Sequence, residues 1–235
     1  MIRGILFDLD GTLLPVELET FAKTYFKALC KELCPMGIAP ETLVDAVQQG
    51  IAAMVTNDGS ATNEERFWAV FEGIAGDKTE ALRPACDAFY RGAFHALKSI
   101  TGENPLARAA VEAARRNGRK VVLSTNPVFP MTAQLARISW IGLEEKDFDF
   151  ITAYETDCYC KPNPAYFLSV CERMGLKPEE CLVIGNDEKE DARTASKAGM
   201  QCYLVTDCLI ARPECPWNGP KGTFAEMVKM LEELE

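Results

Sequence analysis

The sequence predicts an α/β protein, a three-layer parallel sheet interrupted after its first strand by a helical insertion. Three observations carry this. The chain opens on Ile5-Leu6-Phe7, an apolar run without polar alternation, which reads as a strand covered on both faces. From Lys120 onward, short apolar runs alternate with helical patterns, the arrangement that forces parallel pairing through crossover helices. Between them, from Val16 to about Gly102, the pattern is helical and offers no good strand.

Within the insertion, helices are expected from Glu17 to about Leu33, Pro40 to about Met54, Asn63 to about Ile74 and Glu80 to about Lys98. Cys34-Pro35-Met36-Gly37 and Asn57-Asp58-Gly59-Ser60 supply the breaks. Asn104-Pro105 then starts a helix ending near Asn117-Gly118, and Lys120 to Ser124 reads as a buried strand. A strand near Phe148 to Ala153, a helix over Pro164 to Met174 and a strand over Cys181 to Ile184 follow. An alanine-rich helix ends at Gly199, and Gln201 to Val205 is the next strand. Thr223 and Glu226 have the spacing of a capping box for the last helix.

The 235 residues, 48% hydrophobic, suffice for a substantial core and a second, smaller domain. A net charge of −10 argues against nucleic acid and against an anionic membrane surface as partners, since both call for a basic face. No apolar stretch approaches the roughly 20 residues that span a bilayer. Met1-Ile2-Arg3-Gly4 runs directly into the first strand without a signal-peptide pattern, so a cytoplasmic location is expected. The ten cysteines are scattered through apparent helices and strands, as reduced and mostly buried thiols would be. Cys158-Tyr159-Cys160 and the Cys208 to Cys215 loop are the places where a metal or a bridge could form, although neither has zinc-ribbon spacing. With His95 the only histidine, a mixed Cys/His zinc site or a Ser-His-Asp triad is hard to build.

Four segments place polar residues directly behind buried strands, where parallel sheets bind ligands. The first is Asp8-Leu9-Asp10-Gly11-Thr12. Side chains two apart on extended backbone point the same way, so both carboxylates can face one site before Gly11 turns the chain. Asp-Gly is also an ordinary turn signal, and Asp-x-Asp can open a calcium loop, but Leu13 stands where that loop needs glycine. Ser124-Thr125-Asn126-Pro127 offers a hydroxyl and backbone N–H groups to phosphate oxygens. In Cys160-Lys161-Pro162-Asn163-Pro164, Lys161 reaches out ahead of a helix start as a fixed cation. Gly185-Asn186-Asp187-Glu188-Lys189-Glu190-Asp191 opens a helix with carboxylates that either bind a cation or simply favour the helix dipole.

In this order, the four segments resemble the haloacid dehalogenase superfamily, and within it the phosphoglycolate-phosphatase-like branch. The resemblance implies a Rossmann-like, doubly wound parallel core over residues 1–15 and 103–235, with residues 16–102 an inserted α-helical cap. It implies a magnesium-dependent phosphatase in which Asp8 is the nucleophile and Asp10 the general acid and base. Thr125 and Asn126 would bind the phosphoryl oxygens, and Lys161 would steady nucleophile and phosphate. Asp187 would bind Mg2+ with the Asp8 carboxylate and the Asp10 carbonyl, and Asp191 would orient that shell. The family usually runs glycine directly into the acidic residue, whereas Asn186 intervenes here, so Asp187, Glu188 and Asp191 all stay in play as ligands.

The chemistry agrees with that assignment. Carboxylates converging on a phosphate dianion repel it by about 4 kcal/mol per unit pair at 4 Å and an effective dielectric of 20, so a divalent cation is needed, and oxygen donors suit magnesium. A small phosphorylated metabolite is the expected partner. A phosphomutase would share the site, a dehalogenase would not need an acid at position 10, and a silent binding protein would most simply have lost Asp8 or Lys161. Asn57 to Asn63, Glu17, Phe67 and Trp68 are expected in or near the cap as loop and packing residues, with hinges near Pro15 and Thr101-Gly102.

Overall fold

The computed structural model describes all 235 residues. Six parallel strands, β1 (Gly4–Phe7), β2 (Lys120–Leu123), β3 (Phe150–Ile151), β4 (Cys181–Gly185), β5 (Gln201–Val205) and β6 (Lys221–Gly222), lie in the order β3-β2-β1-β4-β5-β6. From β1 the chain builds outward on one side through β2 and β3, then crosses back to lay β4, β5 and β6 on the other. The order therefore reverses at β1, and the switch point where such sheets open a crevice falls between β1 and its neighbours.

Alternation along each strand produces the layers. Ile5, Phe7, Val121, Leu123, Leu182 and Ile184 enter one buried cluster, while Leu6, Val122 and Val183 enter another on the opposite face. Each large side chain so buried contributes roughly 1.5–3 kcal/mol, which is why these strands carry no polar alternation. The second face is covered by α7 (Pro164–Met174) and α8 (Thr194–Ala198). The first is covered by α5 (Ala107–Arg115), α6 (Met131–Trp140) and α9 (Phe224–Glu233).

The insertion folds into α1 (Leu18–Leu33), α2 (Pro40–Val55), α3 (Asn63–Ala75) and α4 (Thr79–Arg91), followed by 3₁₀ turns over Ala93–Ile100. Local chemistry starts each helix near the residue expected. The Glu17 carboxylate accepts from the Glu19 and Thr20 amides at 2.8 and 2.7 Å, Pro40 opens α2, and Thr62 with Glu65 closes a capping box on α3. The two connections to the sheet are paired: the Gly102 amide donates to the Pro15 carbonyl at 2.7 Å, and Asn104 Nδ2 to the Leu13 carbonyl at 2.7 Å. The insertion's apolar residues run continuously into the core cluster. Phe94 meets Trp140 with ring centroids 5.5 Å apart, and Tyr25 meets Phe129 at 5.6 Å.

Several expectations need correction. The single helix expected over Glu80 to about Lys98 is two pieces, because Gly92 leaves helical geometry (φ −124°, ψ −96°). The alanine-rich helix begins as a π-helical turn over Glu188–Arg193 before α8. Helix α6 had no counterpart in the sequence reading. Ala133, Gln134, Ala136, Arg137, Ile138 and Trp140 are all buried, so it shows no polar face, and its first amide is capped not locally but by the distant Glu155 carboxylate, which accepts from Met131 at 2.9 Å. The short β6 was also missed. All ten cysteines are free, but only Cys86, Cys160, Cys171, Cys181 and Cys202 are buried, half rather than most. No helix is long and apolar enough to cross a membrane.

Candidate active site

Register brings the motif segments to one edge. Phe7 is paired with Leu123 on one side and Ile184 on the other, so Asp8, Ser124 and Gly185 leave the sheet at one level. The ladder continues one step further: the Ser124 amide donates to the Phe7 carbonyl at 2.7 Å and the Asp8 amide to the Ile184 carbonyl at 2.8 Å. Beyond lies a cavity of about 220 Å³ lined by Asp8, Asp10, Thr125, Asn126, Lys161, Asp187, Glu190, Asp191 and Arg212, with Val128 and Phe129 on its wall. Of the site residues expected from the sequence, Asp8, Asp10, Thr125, Asn126, Lys161, Asp187 and Asp191 line this one space, and Glu188 does not.

At its floor, Lys161 Nζ donates to Asp8 Oδ1 at 2.8 Å and to Asp191 Oδ1 at 2.7 Å. Burial by itself would lower the Lys161 pKa, but Asp191 and Asp8 outweigh it and the ammonium stays charged. Burial also pushes the Asp8 carboxyl up, with Lys161 opposing and Asp191 adding to the rise. Thr12 Oγ1 lies 3.2 Å from Asp8 Oδ2 and 3.1 Å from Asn186 Oδ1, so its single hydroxyl proton is shared between these two acceptors.

Asp191 holds the neighbouring loop in shape. Its Oδ2 accepts from the Asn186 and Asp187 amides, each at 3.0 Å, which presses the carboxylate against Gly185. A Cβ at Gly185 would stand 2.2 Å from Asp191 Cγ, so that position must be glycine. Gly11 is constrained twice, by φ +84° and by Asn186 Nδ2 lying 2.2 Å from where its Cβ would be.

The remaining polar residues do work that the sequence did not disclose. Arg137 of α6, wholly buried, donates to Asp10 Oδ2, while Asp10 Oδ1 is buried without a hydrogen-bond partner. The Asn126 side chain is spent on protein: Oδ1 accepts from the Lys161 amide at 3.2 Å and Nδ2 donates to Glu190 at 3.3 Å. Thr125 lines the cavity, and its carbonyl accepts from Thr152 and Tyr166 at 2.7 and 2.9 Å. The Asp187 carboxylate caps the π-helical turn, accepting from the Lys189 and Glu190 amides, and its Oδ2 accepts from Arg212 Nη2 at 2.6 Å. Glu188 turns away to accept the Arg212 and Trp217 amides at 2.7 and 3.1 Å. Glu190, not singled out from sequence, faces the cavity, and burial raises its carboxyl. Arg137 sat in a helix with no expected counterpart and Arg212 in the Cys208 to Cys215 loop, singled out only for its cysteines, and neither carries a motif.

No group of three or more His, Cys, Asp or Glu side chains is gathered as a metal cage. The donors on the cavity wall are nonetheless all oxygens, and five carboxylates (Asp8, Asp10, Asp187, Glu190 and Asp191) are set against three cationic side chains, Lys161, Arg212 and the Arg137 paired with Asp10. That excess of negative charge fits a hard divalent cation held by few protein ligands and several waters.

A family comparison settles the relationship, since residues 2–199 match the haloacid dehalogenase-like hydrolase family. The chain belongs to that family of hydrolases. It is 29% identical over 208 residues to a phosphoglycolate phosphatase of Nitrosospira multiformis, covering 87% of this chain and 83% of that protein. It is 23% identical to a glyceraldehyde 3-phosphate phosphatase of Methanothermobacter thermautotrophicus across the full length of both. Its fold superposes on a 2-haloacid dehalogenase from Pseudomonas syringae with TM-score 0.67 and 19% identity over the whole of each chain, a likeness of fold alone.

Proposed function

We propose that this hydrolase is a phosphatase of small phosphate monoesters that uses Asp8 as nucleophile and requires Mg2+, acting in the cytoplasm. One observation carries the reading: a buried carboxylate at the cavity floor with a charged lysine bridging it to Asp191. Lys161 opposes the rise that burial imposes on the Asp8 carboxyl and lowers the repulsion an incoming phosphate meets. Asp8 attacks phosphorus in line, forming an aspartyl phosphate.

Asp10 then serves the leaving group. Its carboxyl would carry the proton to the departing alkoxide and take one from the hydrolytic water, while Arg137 fixes Oδ2. Thr125 contributes its hydroxyl to the phosphoryl oxygens, and Asn126 acts by fixing the backbone of Lys161. The Asp8 and Asp187 carboxylates with the Asp10 carbonyl would hold magnesium, which supplies charge neutralisation for the phosphoryl group. Asp191 orients this set through Lys161 and the amides of the Asn186-Asp187 turn. The cavity of about 220 Å³ suits a sugar phosphate, phosphoglycolate or a similar small ester.

Residues 16–102 form the cap in this reading, bringing Leu18 to the cavity wall and opening on the paired connections at Pro15 and Gly102. A dehalogenase has no need of an acid at Asp10 with its own buried arginine. A phosphomutase differs by keeping the phosphoryl group. Phosphate release from a panel of phosphorylated metabolites, with and without Mg2+, tests the proposal. It predicts release that needs magnesium and vanishes in Asp8→Asn; turnover in excess chelator, or by Asp8→Asn, refutes it.

A further inference from the structure

Arg212 is a cationic residue at the cavity that neither the nucleophile, the acid nor the phosphate cradle uses. Its backbone is built into place. The Arg212 amide donates to Glu188 Oε2 at 2.7 Å and the Trp217 amide to Glu188 Oε1 at 3.1 Å, so one carboxylate pins both ends of this stretch. The Ile210 amide donates to the Asn186 carbonyl at 2.8 Å, the Glu188 amide to the Ile210 carbonyl at 3.2 Å, and Asn186 Nδ2 to the Cys208 carbonyl at 2.8 Å. Arg193 binds the Cys215 carbonyl at 3.3 Å and the Pro216 carbonyl. The loop after β5 is thus laced to the Asn186-Asp187-Glu188 segment itself.

From this fixed base the side chain reaches back to Asp187, with Nη2 at 2.6 Å from Oδ2 and Nε at 3.4 Å from Oδ1. The Asp187 side chain is 7% exposed and that of Arg212 35% exposed. The carboxylate is therefore held from within, by the amides of Lys189 and Glu190, whereas the guanidinium sits on the open side of the pair. A cation approaching Asp187 from the cavity meets a positive charge already in place.

We propose that Arg212 is a built-in counter-ion of Asp187 that a divalent cation must displace, so that Arg212 sets the concentration of Mg2+ the protein needs. This rests on the reading of Asp187 as a magnesium ligand. The loop's own hydrogen bonds to Glu188 and Asn186 do not involve the guanidinium, so the side chain can swing away while the loop stays put. An ion pair with one partner a third exposed contributes up to about 1 kcal/mol, and losing such a competitor tightens cation binding by about fivefold.

Isothermal titration of the full-length protein with MgCl2, without substrate, tests this in wild type, Arg212→Gln and Arg212→Lys. Far-UV circular dichroism and the thermal midpoint of each cation-free protein establish that it is folded. The expected result is Kd lowered about fivefold by Arg212→Gln, with Arg212→Lys, which keeps the charge but loses the fork, closer to wild type. Unchanged or weaker binding in folded Arg212→Gln overturns the proposal and makes Arg212 a support for the ligand instead. If Arg212→Gln does not fold, Arg212→Met, equally without the charge, decides in its place: a Kd equal to or above that of wild type overturns the proposal. Absence of Mg2+ binding by wild type overturns it together with the metal assignment, and is distinguished because the wild-type titration fails first.

Discussion

Arg137, buried without residual exposure on α6, donates to the carboxylate of Asp10 across 127 residues of sequence. The pair joins the helix that covers the first face of the sheet to the loop behind β1. Arg137 also stacks on Phe129, with its guanidinium carbon 4.4 Å from the ring centroid, so the ion pair and the cavity wall are one construction.

Replacing Arg137 by Met keeps much of its volume and strands a carboxylate at the cavity edge. The loss of one partner of a buried pair is strongly destabilising, and Asp10 retains some exposure, so about 3 kcal/mol is expected. Urea melts measure it. Turnover of alkyl phosphates should fall with little change in KM, and a variant as stable and active as wild type would remove Arg137 from the site.

Lys161→Met leaves Asp8 and Asp191 facing each other without their ammonium. Burial already raises the folded-state pKa of Asp8 to about 7, above the ordinary carboxylate value of 3.8. A raised carboxyl favours the folded state fully below the unfolded-state pKa, and this contribution is lost as pH rises through the folded-state value. Removing the lysine enlarges that loss, so the cation-free variant should be destabilised most near pH 8 and recover toward pH 5. Melts across that range check it; a deficit that grows on acidification contradicts the charge argument.

Asp187 and Glu188 separate the two uses of the acidic segment. Asp187→Asn should raise the Mg2+ concentration for half-maximal phosphate release far more than Glu188→Gln. Glu188 accepts only loop amides, and its amide variant should instead loosen residues 212–217, seen as faster hydrogen exchange there. Asp191→Asn should be impaired about 10- to 100-fold yet measurable, because it works through Lys161 and two amides. The largest magnesium shift in Glu188→Gln would move the ligand by one residue.

Asn63, wholly buried at the start of α3, ties the insertion to the core. Its amide donates to the Asp157 carbonyl at 2.9 Å and its Nδ2 to the Pro127 carbonyl at 3.1 Å. Asn63→Ala removes the side-chain bonds and leaves buried acceptors unpaired, about 1–3 kcal/mol. Residues 57–66 should exchange amide hydrogens faster and KM should rise, while the magnesium requirement stays as in wild type. Unchanged exchange would mean that the aromatic contacts alone seat the cap.

The amino-acid sequence by itself determined the α/β class, most element positions and the residues that meet at the site. Those signals are local. Apolar runs such as Ile5-Leu6-Phe7 lose their alternation because both faces are covered, and Glu17, Asn163 and Thr223 cap helices through amides two or three residues away. Carboxylates behind strands were legible because a parallel sheet delivers every strand's end to one edge.

Tertiary structure alone decided what each polar group faces. Helix α6 hides from periodicity because its six buried residues, of ten, include the polar Gln134 and Arg137, and Arg137 finds Asp10 only in the folded sheet. From sequence, Asp187, Glu188 and Asp191 are interchangeable acids. In the fold, one faces the cavity and Arg212, one holds a loop, and one locks Lys161, since which way a carboxylate points on a tight turn depends on the donors that later arrive around it.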